Sequence, residues 1–506
     1  MIDINKAKQK ILDLAIRGKL TKQLKSDGNA VDLLVEIQKE KEKLIKDKKI
    51  RNDTNVISDD IEEPFEIPEN WVWCKIGEIG IYKKGPFGSS LKKSLFVEKS
   101  KDTIKVYEQQ NAINHNSELG KYYISKEYFE SKMKGFEVFS GDLIVSCAGT
   151  IGEIYLMPER IERGIINQAL MKISLFNGID KQYFIKYFDY SLKQSASEGN
   201  GSAIINIPPF EVLKNYVMPL PPLAEQNRIV EKVGKLFEIL DKIDEAQKKY
   251  QKDKETLKSK IIEAGIRGKL TKQLKSDGNA SVLLDEIRKE KEKLIKEGKI
   301  KRDKKETYIY KKPKDNLYYE KHQDGTEKCI QDELPFEIPE NWVWCRLGNI
   351  GRWGSGATPL TSNSKYYDKG TIPWILTGDL NDNYILTASH YITEKALNDC
   401  SLELREKGSV LIAMYGATIG KLAILEIDAT MNQACCACTV YKGINNKWLY
   451  YFLMCNKTSF VRKGSGGAQP NISKEKITQT EVPLPPHAEQ ERIVEQIEEL
   501  LTSIVS

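Results

Sequence analysis

The sequence predicts a mixed α/β chain in which two globular α/β domains are joined by long antiparallel coiled-coil helices with pseudo-two-fold symmetry. Three observations carry that expectation. First, three phrases are written twice. IRGKLTKQLKSDGNA stands at Ile16–Ala30 and again at Ile266–Ala280, FEIPENWVWC at Phe65–Cys74 and Phe336–Cys345, and LPPLAEQNRIV at Leu220–Val230 returns as LPPHAEQERIV at Leu484–Val494. The spacing between the copies is unequal, so one unit has been duplicated with insertions and deletions between fixed landmarks. Second, the apolar residues Ile229, Val233, Leu236, Leu240, Ile243, Tyr250, Leu257, Ile261 and Ala264 keep a 4-3 spacing once Gln247 and Lys254 fill the gaps. That spacing is the seam of a coiled coil. Third, two blocks of short β-type runs around glycine turns lie between the landmarks.

Taken in order, residues 1–50 form the N-terminal part of a split helical arm. Its seam is Ile4, Ala7, Ile11 and Leu14, followed by a break at Gly18, a polar SDGN turn and a second helix at 31–50. Residues 51–64 are a linker and 65–222 the first block. Residues 223–300 are the central arm, a helix from Leu223 to Ile266 and then a second helix at 281–300. Residues 301–335 are a polar linker and 336–486 the second block. Residues 487–506 close the split arm with Ile493, Ile497, Leu500 and Ile504. Head and tail together match the central arm except for the counterpart of 243–250, so joining the ends would nearly close a two-fold repeat. The lysine-rich second helices read as solvated faces.

At 506 residues there is chain for several cores. No apolar run approaches the ~18–20 residues of a membrane span, and MIDINKAKQK lacks the apolar centre of a signal peptide. The expectation is a cytoplasmic protein with its nine cysteines reduced. A net charge of +6 permits a polyanionic partner without demanding one.

The two blocks open and close alike but differ between. After the shared WVWC, the first reads GIYKKGPFGSSLKKSLF and the second GRWGSGATPLTSNSKYYDKGTIPW. Such Gly/Ser loops with interleaved lysine, arginine and aromatics can approach phosphates closely. GDLIVSCAGTIGEIYLM and GSVLIAMYGATIGKLAIL each read as two strands about a tight turn, and INQALMKISL and MNQACCACTV as a further buried strand. The glycine-rich loops EGNGSAIINI and KGSGGAQPNI occupy matching places.

Catalytic motifs fail on inspection. GATIGK at Gly416–Lys421 has three residues between its glycines where a phosphate-binding loop needs four, and Leu422 where Ser or Thr is required. CCAC at Cys435–Cys438 is matched by Leu170, Met171 and Ile173 in the first block and reads as core, not as metal ligands. In NIPPF, Ile207 separates Asn206 from the prolines, out of register for an amino-methyltransferase loop. No acid, base or nucleophile constellation is present, and no cofactor or metal site is expected.

With PxxWxW at Pro68–Trp73 and Pro339–Trp344, the SGATP, IPW and TGDLN series of the second block, GPFGSSLKK in the first, the TIG turns and the LPPxAEQ exits, the chain resembles the specificity subunit of type I restriction-modification systems. Its arms stand in a circularly permuted arrangement. The resemblance implies a non-catalytic subunit that binds double-stranded DNA through two target-recognition domains, each reading one half of a bipartite site. It implies arms that set the spacer and dock two copies of a DNA adenine methyltransferase subunit, on which S-adenosylmethionine is expected. Restriction motor-nuclease subunits are a further implied partner. The candidate DNA-contacting residues are Lys83, Lys84, Ser89, Ser90, Lys92 and Lys93 in the first block and Arg352, Ser355, Thr358, Lys365 and Tyr366 in the second. Asn200, Ser202, Ser465 and Gln469 in the glycine-rich loops join them. The rival reading is a coiled-coil scaffold that joins protein partners without reading DNA.

Overall fold

The computed structural model describes residues 1–50, 61–148, 150, 152–198, 210–303, 305–463 and 471–505. Two compact units divide the chain, Met1–Lys248 and Lys249–Ser506. The division falls inside one helix of 44 residues, Leu223–Ile266, which contains the whole heptad pattern from Ile229 to Ala264.

In the first unit the helix Ile4–Ile16 starts where the Asp3 side chain accepts from the Lys6 amide, which satisfies an otherwise orphaned donor. It stops at Gly18, whose φ of +66° needs glycine and allows the Lys19 amide to reach back to the Leu14 carbonyl. Its partner is the first part of the long helix, in antiparallel sense. Ile2 bonds Gln247, Lys8 pairs with Asp241 at 2.5 Å, and Thr21 reaches Glu225. Leu12, Ala15 and Ile16 meet Ile229 and Val233 in the core between them. The second unit repeats the pairing with the rest of the long helix against His487–Val505. A Cβ on Gly265 would come within 2.9 Å of Ile497. The antiparallel sense expected from the sequence is thus present in each unit. The seam is not buried throughout, since Tyr250 and Leu257 remain exposed. The second helices run Ala30–Lys46 and Ala280–Lys296, each N-capped by an asparagine at 29 or 279.

Each block rises from a two-stranded base. The opening strand Val72–Lys75 pairs antiparallel with the closing strand Val217–Leu220, with Trp73 opposite Pro219. Val343–Arg346 pairs with Glu481–Leu484, with Trp344 opposite Pro483. The repeated phrases therefore form the two legs of each block, which is why they are alike while the interior is not. Above the base, the first block has a four-stranded antiparallel sheet in the order Gly80–Lys84, Leu170–Leu175, Leu143–Ser146, Ile154–Leu156. The second has the matching order Gly351–Ser355, Cys435–Val440, Val410–Ala413, Leu422–Leu425, extended by Asn383–Ile385 in parallel. A smaller mixed sheet accompanies each, containing Thr103–Tyr107 in one block and Ile372–Ile375 in the other. The CCAC strand lies in the core, with Cys435, Cys436 and Cys438 fully buried, and burial pushes the Cys436 thiol up to about 12. GATIGK is the turn between two antiparallel strands. NIPPF lies mostly outside the described residues.

One expectation needs correction. The polar linker 301–335 carries a three-stranded antiparallel sheet, Tyr308–Lys311, Tyr318–Lys321 and Glu327–Cys329. Ile309 and Ile330 bury against Trp344. Arg346 donates to Glu320 at 2.8 and 2.7 Å, and Lys291 to Glu306 at 2.7 Å. The sheet thus fastens the arm helix to the leg of the second block by buried, paired charges. Removal of one partner from such a pair is the costly change, because the other is left buried alone.

Candidate nucleic-acid interface

The three repeated phrases meet at one place in each unit, and that junction holds the block on its arm. Glu225 is wholly buried. Its carboxylate accepts from Thr21 at 2.9 Å, Gln23 at 3.0 Å and the Trp71 indole at 2.9 Å. Glu489 repeats this with Thr271 at 3.2 Å, Gln273 at 2.9 Å and Trp342 at 2.9 Å. The neighbouring Gln226 accepts from the Asp180 amide at 2.8 Å and donates to the Pro221 carbonyl at 2.9 Å, as Gln490 does with Asn445 and Pro485. Arg17 stacks over Phe65 at 4.3 Å, and Arg267 over Phe336 at 4.7 Å. A side chain on Gly18 would strike Pro68 at 2.4 Å, and one on Gly268 would strike Pro339 at 2.6 Å. Thr21, Gln23, Phe65, Pro68, Trp71 and Glu225, and their counterparts in the second unit, are each accounted for by a contact to another repeated phrase.

A bidentate pair locks the polar turn to the same helix. Arg228 donates to both oxygens of Asp27 at 2.8 and 2.5 Å, and Arg492 to Asp277 at 2.9 and 2.7 Å. The arginine hydrogen bonds hold both aspartates below the usual carboxylate range. A depressed folded-state pKa contributes stability that is complete above the unfolded value, ~3.9 for Asp, and is lost as pH falls through the folded value. We therefore expect the thermal midpoint of the chain to fall as pH drops from 6 to 3. The Asp27→Asn/Asp277→Asn variant should start from a lower midpoint at pH 6 and lose less over the same range; an equal loss in both chains would remove these pairs from the account.

With the base so fixed, the sheet registers gather the variable loops at the opposite end of the strands. In the first block, Lys84 stands opposite Met171, Ser146 opposite Leu170 and Val145 opposite Ile154. The loops following 84, 146 and 166 therefore emerge together. In the second, Ser355 is opposite Cys436, Ala413 opposite Cys435 and Ile412 opposite Leu422, which collects the loops after 355, 413 and 431. The turn after Ile375 joins them through Asn381, which accepts from Lys421 at 3.1 Å. In both blocks the loop after the first strand is pressed on a neighbour. A Cβ on Gly85 would sit 1.8 Å from the Asn167 carbonyl oxygen, and one on Gly356 1.7 Å from that of Met431, so only glycine fits.

Lys83 and Lys84 end their strand exposed, with the Lys83 ammonium 4.9 Å from the Phe136 ring. Ser89 is exposed on a single helical turn, Gly88–Ser90, and the half-buried Ser90 gives its carbonyl to the Tyr128 hydroxyl. Lys92 and Lys93 follow, both exposed. In the second block Ser355, Thr358 and Lys365 are exposed, and Thr358 is hydrogen-bonded to the Gln433 side chain. Tyr366 is half-buried beside Trp374, with its hydroxyl 3.3 Å from Asp399. Arg352 stands apart from these, mid-strand and near the base, with its guanidinium 2.8 Å from Glu406 and 3.9 Å from Glu403. Asn200, Ser202, Ser465 and Gln469 lie outside the described residues. Two exposed residues at the loop tips escaped the sequence reading, Gln168 and Gln433. Each follows an asparagine that braces the turn by accepting from the amide two residues on, at 3.0 and 3.2 Å. The signal was present, an Asn-Gln pair opening the same strand in both blocks. Among the described residues no helix is long and apolar enough to cross a membrane, and no group of His, Cys, Asp or Glu is arranged to hold a metal ion.

Two blocks on one frame, each with a private set of loops, define a duplicated recognition protein. The family model of the type I restriction modification DNA specificity domain matches residues 68–257 and 339–505, starting at the proline of each repeated phrase. The chain belongs to that family, whose business is recognition of a DNA target. It is similar to the EcoAI specificity subunit of Escherichia coli, 26% identical over an alignment covering 98% of this chain and 89% of the relative. It is also similar to the MjaIX specificity subunit of Methanocaldococcus jannaschii, 33% identical over 31% of this chain and 37% of the relative. Among solved structures, a chain from work on the assembly and conformational transition of a type I restriction-modification system shares the fold. Its TM-score is 0.56 at 18% identity, over 87% of this chain and 93% of the other.

Proposed function

We propose that this chain is the DNA-reading subunit of a type I restriction-modification complex, with each block reading one half of a bipartite site. The arms set the spacer and dock two DNA adenine methyltransferase subunits, which supply S-adenosylmethionine chemistry, and a motor-nuclease joins the same assembly. The chain itself carries out neither methylation nor cleavage. The observation that supports this best is that the two blocks share their junction residues but differ in the long loops after 84 and 355 that are delivered to the far end of the sheet. A scaffold for proteins alone has no need of two unlike loop sets in matched frames. Lys83, Lys84, Lys92, Lys93 and Lys365 suit phosphate contacts, which give affinity and position. Ser89, Ser90, Ser355, Thr358 and the glutamines at 168 and 433 suit base edges, glutamine being able to bond adenine twice. Asn200, Ser202, Ser465 and Gln469 belong to the same proposal. Tyr366 and Arg352 join it on the same footing, Arg352 by exchanging Glu406 for phosphate.

Gel-shift of the chain assembled with its methyltransferase tests the reading. The expected result is a complex on DNA carrying the split site that survives excess non-specific competitor and weakens steeply with salt. The isolated chain should neither methylate nor cut DNA when given S-adenosylmethionine or Mg2+. Failure of the assembled complex to bind any DNA would favour the protein-only scaffold.

A further inference from the structure

The turn Ile16–Ala30 and its copy Ile266–Ala280 are identical at all positions. The fold explains part of that identity. Gly18, Gly28, Gly268 and Gly278 have positive φ. Thr21, Gln23 and Asp27 are bonded to the arm helix, and Asn29 caps the next helix. It does not explain Lys19, Lys22, Leu24, Lys25 and Ser26. All five are exposed, as are Lys269, Lys272, Leu274, Lys275 and Ser276, and their side chains have no polar partner or ion pair among the described residues. Recent duplication does not account for this either, because nearby positions outside the turn have drifted. Val31, Asp32 and Val35 correspond in the repeat to Ser281, Val282 and Asp285, and Gly234, Lys235 and Glu238 on the long helix to Glu498, Glu499 and Thr502. The Lys39–Lys46 stretch also repeats, but there Glu40 and Glu290 have a task, bonding the blocks at Asn177 and Lys442. In the turn, the one acid is neutralised internally by Arg228 or Arg492. What remains outward is three unpaired ammonium groups around a leucine that is 43% exposed in one copy and 44% in the other.

Two identical exposed surfaces on otherwise diverged units are what binding of the same partner twice requires. We propose that each turn is the docking surface for one methyltransferase subunit, met by carboxylates that surround an apolar notch receiving Leu24 or Leu274. The proposal rests on the reading above that two such subunits join the chain. DNA phosphate is the competing occupant, but it offers nothing to a leucine, whereas a desolvated apolar anchor ringed by charge is how protein interfaces concentrate their energy.

The test uses the full chain with its methyltransferase subunit, counted by native mass spectrometry. The wild type should hold two subunits. Lys22→Glu/Leu24→Asp/Lys25→Glu should hold one, Lys272→Glu/Leu274→Asp/Lys275→Glu should hold one, and the combined variant none, with thermal midpoints unchanged. Two subunits retained by the combined variant overturn the proposal, and so does retention accompanied by a shallower salt dependence of DNA binding, which assigns the turns to phosphate. If the charge reversals unfold the chain, Leu24→Ser/Leu274→Ser carries the test as an at least tenfold weaker association in titration, with unchanged affinity as the contrary result. A wild-type chain that binds no methyltransferase overturns the underlying reading as well, and is told apart by the absence of any complex to begin with.

Discussion

Replacing residues 347–480 with the corresponding part of a relative of different specificity is expected to change one half of the methylated site and leave the other intact. The cut points follow from the structure. They lie at the inner ends of the paired legs Val343–Arg346 and Glu481–Leu484, so Trp342, Trp344 and the Glu489 junction stay native. The sheet's part of the core is then exchanged together, with Val410, Ile412, Cys436 and Cys438 leaving as a set, while Ile262, Ile266, Leu283 and Ile493 of the arm stay native at its edge. Arg346 must be kept, because Glu320 of the small sheet is paired to it and would otherwise be left buried without its cation. The effect is large. Each mismatched base pair costs ~1–3 kcal/mol, so two mismatches in the exchanged half weaken the old site by about 30-fold to about 20,000-fold. Sequencing of methylated adenines in cells carrying the hybrid and its methyltransferase reads the result as a split motif. If both halves change, the blocks do not read independently.

What the sequence made legible was whatever is periodic or repeated. The helix Leu223–Ile266 was legible because its apolar spacing from Ile229 to Ala264 and the glycine break at Gly268 agree. The strands about the TIG turns and the CCAC strand followed from apolar runs bounded by glycine. The junction was legible only in parts. Three phrases were visibly repeated, but nothing local says that Glu225 lies 2.9 Å from Trp71. A glutamate in the first turn of a helix reads as a solvated dipole partner, and only a contact across the chain makes it buried. The small sheet 308–329 was missed for a related reason: its buried face is little more than Ile309 and Ile330, set among lysines, glutamates and tyrosines that dominate the composition. Of the candidate contacts, lysines on loop tips were legible from loop chemistry. The pairing of Arg352 with Glu406 was not legible, because it comes from a segment more than fifty residues away. Gln168 and Gln433 were passed over because lysine and serine in glycine loops drew attention, while an amide at the start of a strand looked like a turn residue.

Inserting one turn of helix, four alanines between Lys248 and Lys249, is expected to lengthen the spacer of the recognised site or abolish recognition. The position matters. The helix Ile4–Ile16 pairs with residues up to about Gln247, and His487–Val505 pairs with the part beyond, so an insertion at this junction leaves both antiparallel pairs and both buried glutamates as they are. Tyr250 and Leu257 are exposed, so little apolar packing is displaced. Four residues add ~6 Å along the helix and ~40° of rotation. On DNA, ~6 Å is about two base-pair steps, which carry ~70° of twist at ~10.5 base pairs per turn. The mismatch of ~30° falls on the loops, so the variant should accept a spacer longer by about two base pairs with reduced affinity, and should lose the native site. Seven inserted residues give ~10.5 Å and a rotation within ~20° of whole turns, against about three base pairs and ~100° of twist, and should do worse. The two insertions therefore separate translation from rotation. Selection from DNA libraries with randomised spacer length reads both. A variant that still prefers the native spacer shows that the long helix is not the ruler, and that the spacing is set instead by the partners docked on the arms.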